Sequence, residues 1–228
     1  MHIPIINWIS NLSALICFFT ENMSEDRYLT PADIMKIAGR PFNVVKFGDL
    51  CHYKDLDDLF QVNSMGMQYQ PVDDVLILYE MKKNSGHWCT LKRIMPKGHS
   101  EYYSYHFLDP YGEIIDSQRK HINKDFRVQS GQGTPLILRK LNDQMHGEGR
   151  SGVSSIHYND KKLQGPTSST CGRYAGLFIR FNEPVEKFAK RLQAFAKSKK
   201  ISVDEAVIRL TANLLTQSED HQASDPVQ

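Results

Sequence analysis

The middle of the sequence alternates between short runs of β-branched and aromatic residues and clusters of turn-forming residues. This alternation limits the possible folds more than any other feature. The runs occupy residues 75–80, 89–94, 102–108 and 134–141. Runs of this length that are bounded by Gly, Pro, Asn and Asp are typical of β-strands. We therefore expect a β-sheet built from the middle of the chain.

The sequences on both sides of these runs favour helices instead. The predicted helices occupy residues 31–38, 53–60, 171–180, 185–197 and 203–216. The first of them begins with Pro31 and stops at Gly39, and these residues are favoured at the start and just beyond the end of a helix. Helices at both ends of a chain with strands between them indicate an α+β fold.

The length and charge of the chain exclude several classes of protein. A chain of 228 residues predicts one domain, or one domain with an appendage. The formal net charge of +2 gives no overall attraction for a nucleic acid.

We divide the chain into an apolar extension at 1–22, a folded domain at 23–182, amphipathic helices at 183–216 and a disordered tail at 217–228. Polar residues interrupt the apolar stretch at 3–19, so we expect no signal peptide and no stable membrane insertion.

The cysteines are spaced too widely for a disulfide framework. They lie at positions 17, 51, 89 and 171, and none forms a C-x-x-C pair. This spacing argues against both a disulfide-rich domain and a zinc site made of cysteine pairs. We therefore expect a reducing compartment, in which a functional cysteine acts as a thiol.

Separate segments hold residues that could act together in catalysis. They contain His87 before Trp88, Asp109 in an Asp-Pro-Tyr-Gly turn, Gln164 in a loop, and Cys171 before Gly172. Taken singly, each has a structural explanation, as a turn residue, a loop residue or a small core residue. Together they supply the parts of a thiol protease, which needs a nucleophile, a base, a carboxylate that orients the base and an oxyanion donor.

The predicted secondary structure places these groups suitably for that chemistry. Cys171 begins a predicted helix, whose positive end favours a thiolate. Asp109 ends a predicted strand and could accept a hydrogen bond from the ring of His87 on a neighbouring strand. Gln164 lies seven residues before Cys171, and a loop of that length can fold its amide back beside the thiol.

The order His, Asp, Gln, Cys and the local sequence around each residue resemble the adenovirus-type maturation proteases. These belong to a larger group that includes the SUMO and NEDD8 deconjugating proteases. The group is marked by a His-Trp pair, a strand ending in Asp before an aromatic-Gly turn, and a Gln six or seven residues before Cys-Gly. The seven-residue step and the Asp-Pro-Tyr-Gly turn resemble the viral branch, with proteases of virophages and related large DNA elements nearest. The resemblance covers about residues 30–182.

The resemblance implies a fold and a set of roles. The fold is a central mixed β-sheet flanked by helices, with the nucleophile at the N-terminus of a buried helix. The implied roles are nucleophile for Cys171, general base and then acid for His87, orienting carboxylate for Asp109, oxyanion donor for Gln164 and cleft wall for Trp88. It implies neither a metal nor a cofactor.

The resemblance also implies a substrate and a setting. An endopeptidase of this kind cuts after small residues such as Gly, so we expect a protein or polyprotein substrate with Gly near the cleavage site. A viral capsid precursor fits, and the setting would be the virion and the host cytoplasm or nucleus. A DNA or peptide activator follows from the resemblance alone, because a solvated helix face is the commoner outcome for basic residues such as those at 185–200.

Other interpretations of the same residues stay open. A protease that removes ubiquitin-like modifiers would have the same catalytic groups, and a binding or structural module could keep them unused. A chymotrypsin-like cysteine protease expects Gly where this chain has Ser169, and a papain-like one needs a structured His after the Cys. A metal site at His87 and Cys89 lacks a second pair of ligands.

Overall fold

The structure is a computed structural model that describes residues 27–64, 68–95, 103–146 and 153–216. The expected apolar extension at 1–22 and the expected disordered tail at 217–228 lie outside the described residues. The described part has the α+β fold that the sequence indicates, with a five-stranded mixed sheet flanked by helices. Within it, no helix is both long enough and apolar enough to span a bilayer.

The sheet lies at the centre of the fold. Its strands are β1 (Asn43–Lys46), β4 (Asp74–Lys82), β5 (Ser85–Ile94), β6 (Tyr103–Leu108) and β7 (Val153–Tyr158), and a separate antiparallel hairpin consists of β2 (Gln61–Ser64) and β3 (Gln68–Pro71). The spatial order is β1-β4-β5-β6-β7. The central three strands are antiparallel, and each edge strand is parallel to its neighbour. The sequence pattern predicts the central three strands but not the edge strands or the hairpin.

Helices cover both faces of the sheet. One face packs against α1 (Pro31–Ala38), α4 (Cys171–Phe181), α5 (Val185–Lys199) and α6 (Val203–Thr216). The other packs against 3-10 helices at Phe47–His52 and Asp57–Phe60 and against α3 (Leu136–His146). A 3-10 helix at Ser117–His121 and the short α2 (Lys124–Gln129) join β6 to α3. Because alternate residues of a strand face opposite sides, the central strands contribute to both cores.

The first predicted helix is confirmed as α1, and local contacts explain its limits. Thr30 and Asp33 form a capping box at its start, since each side chain bonds the backbone N–H of the other residue. Gly39 ends the helix in the left-handed conformation, with a φ of 64°. The predicted helices after residue 170 are also present as α4, α5 and α6.

The helix predicted at residues 53–60 is wrong, because side chains there compete for the backbone. Asp58 accepts hydrogen bonds from the backbone N–H groups of Lys54 and Asp55, and Asp55 accepts one from Asp58 N. Such local bonds offer the chain an alternative to a continuous helix. The segment instead forms bends followed by a single 3-10 turn at Asp57–Phe60.

The strand predicted at residues 134–141 is also wrong, since this segment forms the start of α3. Its buried residues Ile137, Leu141 and Gln144 recur at helical rather than strand spacing. The carboxylate of Asp116 accepts hydrogen bonds from the N–H groups of Ile137 and Leu138, which stabilises the helix start. That cap lies about twenty residues earlier in the chain, where a local pattern gives no sign of it.

The two C-terminal helices share a core with the rest of the fold. Phe188 and Leu192 of α5 and Val207 of α6 lie in the same buried cluster as Phe178 of α4. The rings of Phe178 and Phe188 are 5.1 Å apart. Helices α5 and α6 are therefore packed directly against the helix that begins with Cys171.

Candidate active site

A close approach between two strands positions His87. Gly86 precedes it on β5, and a Cβ atom at Gly86 would lie 1.9 Å from the backbone oxygen of Tyr79 on β4. Only glycine allows the two backbones to come this close. The approach holds the start of β5, and with it His87, against the end of β4.

His87 and Asp109 form a buried hydrogen-bonded pair. Asp109 follows the last residue of β6, and the antiparallel pairing of β5 with β6 brings the beginning of one strand beside the end of the other. The distance from His87 Nε2 to Asp109 Oδ1 is 2.9 Å, and the two residues are 5% and 0% exposed. The structure thus brings together the two groups that the sequence suggested for the base and its carboxylate.

Hydrogen bonds fix the carboxyl group of Asp109. Its Oδ1 also accepts from the backbone N–H of Tyr111 at 2.8 Å, and its Oδ2 accepts from Gln118 Nε2 at 2.6 Å. The side chain of Asn159 bonds both the N–H and the C=O of Asp109, at 2.9 and 2.6 Å. Sequence reasoning missed Gln118 and Asn159, because neither stands in a recognisable motif.

Tyr111 restricts the other side of the imidazole. Its ring stacks on the ring of His87, with centroids 4.7 Å apart and an angle of 24° between the planes. The stacking opposes rotation of His87 away from Asp109. Tyr111 is the aromatic residue of the Asp-Pro-Tyr-Gly turn, so the motif was noticed but this contact was not predicted.

Cys171 is the first residue of α4 and lies beside the same imidazole. Its thiol is within hydrogen-bonding reach of the ring of His87. The thiol of Cys89 is also within hydrogen-bonding reach of this ring, whose Nε2 bonds Asp109. Cys171 is 5% exposed, and it lines a cleft of about 450 Å³ together with His87, Gln164 and Tyr111.

The pKa of the imidazole is shifted upwards by its surroundings. Burial lowers the pKa of His87, but Cys89, Asp109 and Cys171 around the ring outweigh burial and raise the pKa well above 6.5. A second sulfur, that of Cys89, lies on the same side of the sheet. Burial raises the pKa of Cys89 to about 12, and the negative charge of Asp109 adds to this shift. Cys89 therefore stays a neutral thiol at pH 7, and it does not line the cleft.

Gln164 lies in the cleft, and its loop is tied to the Asp109 turn. The carbonyl oxygen of Pro110 accepts hydrogen bonds from the N–H groups of Leu163 and Gln164, both at 2.9 Å. The side-chain Nε2 of Gln164 donates to Ser168 O at 2.5 Å and lies 3.4 Å from the hydroxyl of Tyr111. An amide nitrogen has two N–H groups, and here both have acceptors, so a bound group in the cleft would replace the longer bond, to the Tyr111 hydroxyl.

Trp88 lies in the core rather than in the wall of the cleft. It is 8% exposed, packs in the cluster around α4, and donates from Nε1 to the carbonyl oxygen of Leu29 at 3.1 Å. The reason is the alternation of β5, which turns Trp88 to the opposite face from His87. Its contact with the cleft is indirect, through Leu29 and the neighbouring cleft residue Tyr28.

Two groups of potential metal ligands occur within the described residues. They are His87, Cys89 and Asp109, and His106, His157 and Glu186, with ligand atoms within 4.8 Å of one another in each group. In the first group the imidazole and the carboxylate already bond each other. In the second, His106 Nδ1 accepts the backbone N–H of Val185. A metal ion would have to displace an existing hydrogen bond at either place.

Comparisons with known proteins give few relatives. No family model matches the chain. Uncharacterized protein V9 of the Sputnik virophage is 26% identical over 186 residues, which cover 80% of this chain and 93% of that protein. Two crystal structures of the ASFV pS273R protease, one in the selenomethionine form, superpose with TM-scores of 0.45 and 0.42. They are 13% and 14% identical in sequence, and each alignment covers 86% of this chain and 71% of that protease.

Proposed function

We propose that the protein is a thiol endopeptidase in which Cys171 is the nucleophile, His87 the general base and then acid, and Asp109 the orienting carboxylate. The main support is the buried 2.9 Å hydrogen bond between His87 and Asp109, beside a cleft that Cys171 also lines. Cys89 is the competing thiol, but its neutral state and its position outside the cleft favour Cys171.

In the proposed reaction His87 acts first as a proton acceptor and then as a proton donor. His87 takes the proton of the Cys171 thiol, and the sulfur attacks the carbonyl carbon of the substrate peptide bond. The oxyanion that forms accepts hydrogen bonds from the Gln164 N–H that otherwise bonds the Tyr111 hydroxyl, and from the backbone N–H of Cys171 at the start of α4. His87 then gives its proton to the leaving amine. Water, deprotonated by the same imidazole, finally hydrolyses the thioester.

The proposed substrate is a protein with Gly near the cleavage site, such as a viral capsid precursor. Support comes from the small exposed area of the thiol, which leaves little room for large side chains beside the bond to be cut. The proposed setting is the virion and the host cytoplasm or nucleus, and the virophage relative supports the viral origin alone. A protease that removes ubiquitin-like modifiers is the alternative, because the same narrow approach suits a Gly-Gly tail.

An activator is a weaker part of the proposal. Two of the basic residues at 185–200 already have acidic partners, since Arg191 and Lys187 both lie against Glu183. The exposed lysines that remain on this surface could bind DNA. A DNA titration at several salt concentrations, read out by protease activity, would test this.

Cleavage of a peptide panel tests the proposed function. We expect the protein to cut short peptides that contain Gly, and Cys171→Ala to abolish cleavage while the folded structure remains. Cys51→Ala is the matched control, because Cys51 is an exposed thiol on a 3-10 helix and does not line the cleft. Full activity of Cys171→Ala would exclude the proposed mechanism.

Electrophilic probes separate the substrate classes. Ubiquitin, SUMO and NEDD8 that carry C-terminal electrophiles should leave Cys171 unmodified if the substrate is a capsid precursor. Rapid labelling of Cys171 by one of these probes would favour the deconjugating protease instead. If neither these probes nor any Gly-containing peptide electrophile labels Cys171, the result would favour a binding or structural module whose site is unused.

A further inference from the structure

The loop between Gln164 and Cys171 is bound to the C-terminal helix α6 by the side chain of Asp204. Asp204 Oδ2 accepts a hydrogen bond from the backbone N–H of Gly165 at 2.6 Å. Its Oδ1 accepts one from the hydroxyl of Thr170 at 2.6 Å. Gly165 directly follows Gln164, and Thr170 directly precedes Cys171. One carboxylate therefore holds both ends of the loop.

The loop is shaped to receive this carboxylate. A Cβ atom at Gly165 would lie 2.8 Å from Asp204 Oδ2, so a larger residue there would push the carboxylate away. Within the loop, the hydroxyls of Ser168 and Thr170 are 2.6 Å apart, and Ser168 O accepts the Gln164 side chain. The contacts of Asp204 thus continue through hydrogen bonds to the side-chain amide of Gln164.

A tyrosine of α4 extends the same network. The hydroxyl of Tyr174 lies 2.8 Å from the carbonyl oxygen of Leu163 and 3.1 Å from Asp204 Oδ1. Burial raises the pKa of Tyr174, and the negative charge of Asp204 raises it further. Tyr174 therefore keeps its proton and acts as a donor at the base of the loop.

We propose that Asp204 is a positioning residue for catalysis, which sets the distance between the Gln164 amide and the Cys171 thiol. This inference rests on the proposed protease function. The oxyanion donor and the nucleophile act on the same carbonyl group, so their relative placement decides how well the donor meets the developing charge. Helix α6 lies outside residues 30–182, where the catalytic motifs occur, yet on this proposal it belongs to the catalytic unit.

The contacts of α6 with the core do not depend on Asp204. Helix α6 is anchored by its buried residues Ala206, Val207 and Thr211, which all follow Asp204 within about two turns. The hydroxyl of Thr211 also accepts a buried hydrogen bond of 2.6 Å from Arg173 on α4. Removal of the Asp204 carboxylate should therefore loosen the loop without releasing the helix.

Kinetics of Asp204→Ala test the proposal. We expect kcat to fall about 10- to 100-fold with KM nearly unchanged, because a shift of about 1 Å in a reacting group costs that much. Asp204→Asn should fall less, because it keeps one acceptor oxygen. Glu205→Ala is the matched control: it removes the next acid of the same helix turn, whose side chain pairs with exposed Arg209. An unchanged kcat in Asp204→Ala, or an equal loss in Glu205→Ala, would overturn the proposal.

Two further variants keep the test valid if Asp204→Ala does not fold. Thr170→Val removes one hydroxyl donor and leaves the carboxylate in place, and Gly165→Ala displaces the carboxylate without changing any charge. Both should lower kcat with little effect on KM, and full activity in both would contradict the positioning role.

Hydrogen exchange separates this inference from the proposed function. The Gly165 amide should exchange much faster in Asp204→Ala than in the wild type or in Glu205→Ala, whether or not the protein cleaves any peptide. Equal exchange in all three would reject the contact itself. If exchange is faster in Asp204→Ala but the wild-type protein has no protease activity, the contact between Asp204 and the loop would be confirmed. The positioning role in catalysis would then be rejected.

Discussion

Two regions of the molecule meet at the proposed active site, and they contribute in different ways. The region formed by β5, β6 and α4 supplies His87, Asp109 and Cys171, and the imidazole of His87 lies between the other two. The region formed by α5 and α6 supplies no residue that lines the described cleft. It supplies support instead, through the core around Phe188 and through the carboxylate of Asp204.

This difference shows how reactive groups and their supports are distributed along a chain. The reactive groups lie at strand ends and at a helix start, where backbone geometry presents a side chain to a cleft. Their supports come from wherever the fold brings a suitable side chain, which here includes a helix more than thirty residues after Cys171. Only the first kind of residue leaves a local sequence pattern.

The largest expected effect concerns the region of the reactive groups. His87→Ala should lower kcat/KM by about 10⁴- to 10⁶-fold, because no other group can take the thiol proton and return it to the leaving amine. Asp109→Asn should lose less, since the carboxylate orients the imidazole and does not transfer the proton. Steady-state kinetics with a fluorogenic Gly-containing peptide measures both.

A histidine outside the site provides the control for this effect. His121 is half exposed, its side chain lies against Glu113, and it does not line the cleft. His121→Ala should keep wild-type activity. A His87→Ala enzyme that retains more than a tenth of the activity would contradict its role as the base and would remove the functional contrast between the two regions.

The next largest effect concerns the stability of the supporting region. Phe188 is fully buried on α5, so Phe188→Ala should lower the free energy of unfolding by about 3–5 kcal/mol. Because its core is shared with α4, the loss should appear in one cooperative transition that both circular dichroism and tryptophan fluorescence follow.

The outcome of that experiment also decides whether the two regions fold separately. Lys190→Ala, on the exposed side of the same helix, should change stability by less than about 0.5 kcal/mol. A first transition that affects only helical signal, followed by a second that resembles the wild type, would show that α5 and α6 are an appendage to a separate domain.

Much of the fold was predictable where local patterns decide it. The central strands and the helices α1, α4, α5 and α6 follow from runs of apolar residues, and α1 also has a capping box within its own local sequence. The errors arise where a distant group decides the structure, as when Asp116 caps α3. The edge strand β1 was missed because it has only four residues and gains its pairing only from β4.

The candidate site was predictable to the same extent and for the same reason. His87, Asp109, Gln164 and Cys171 stand in recognisable local sequences. The structure places His87, Gln164 and Cys171 around one cleft, and Asp109 is buried against His87. The prediction that Trp88 lines the cleft was wrong, because neighbouring residues of β5 face opposite sides of the sheet and Trp88 faces the core around α4. Gln118, Asn159 and Asp204 could not be found, since an ordinary polar residue becomes a support only when folding brings it there.

A smaller effect is expected at the junction between the cleft and its loop. Gln164→Ala should lower kcat by about 10²- to 10³-fold, or about 2.7–4 kcal/mol of transition-state stabilisation, if its amide serves as an oxyanion donor. Gln129→Ala, at the exposed end of α2, is the control and should be fully active. An active Gln164→Ala enzyme beside an inactive Cys171→Ala enzyme would leave the backbone N–H of Cys171 as the oxyanion donor.

The smallest effect concerns pH, at a histidine that joins the two regions. His106 of β6 is buried, stacks on His157, and accepts the N–H of Val185 in the first turn of α5 at 3.3 Å.

Burial lowers the pKa of His106 to about 4, and the positive charges of His157 and Lys92 outweigh the opposing effect of Glu186. The unfolded chain therefore binds the proton more readily, and stability should be lost as the pH falls from about 6.5 to 4, on the order of 1–2 kcal/mol. Urea midpoints should fall less in His106→Asn, which keeps an acceptor but cannot be protonated, than in the wild type or in His121→Asn. Equal acid sensitivity in all three proteins would mean that this contact does not couple the two regions.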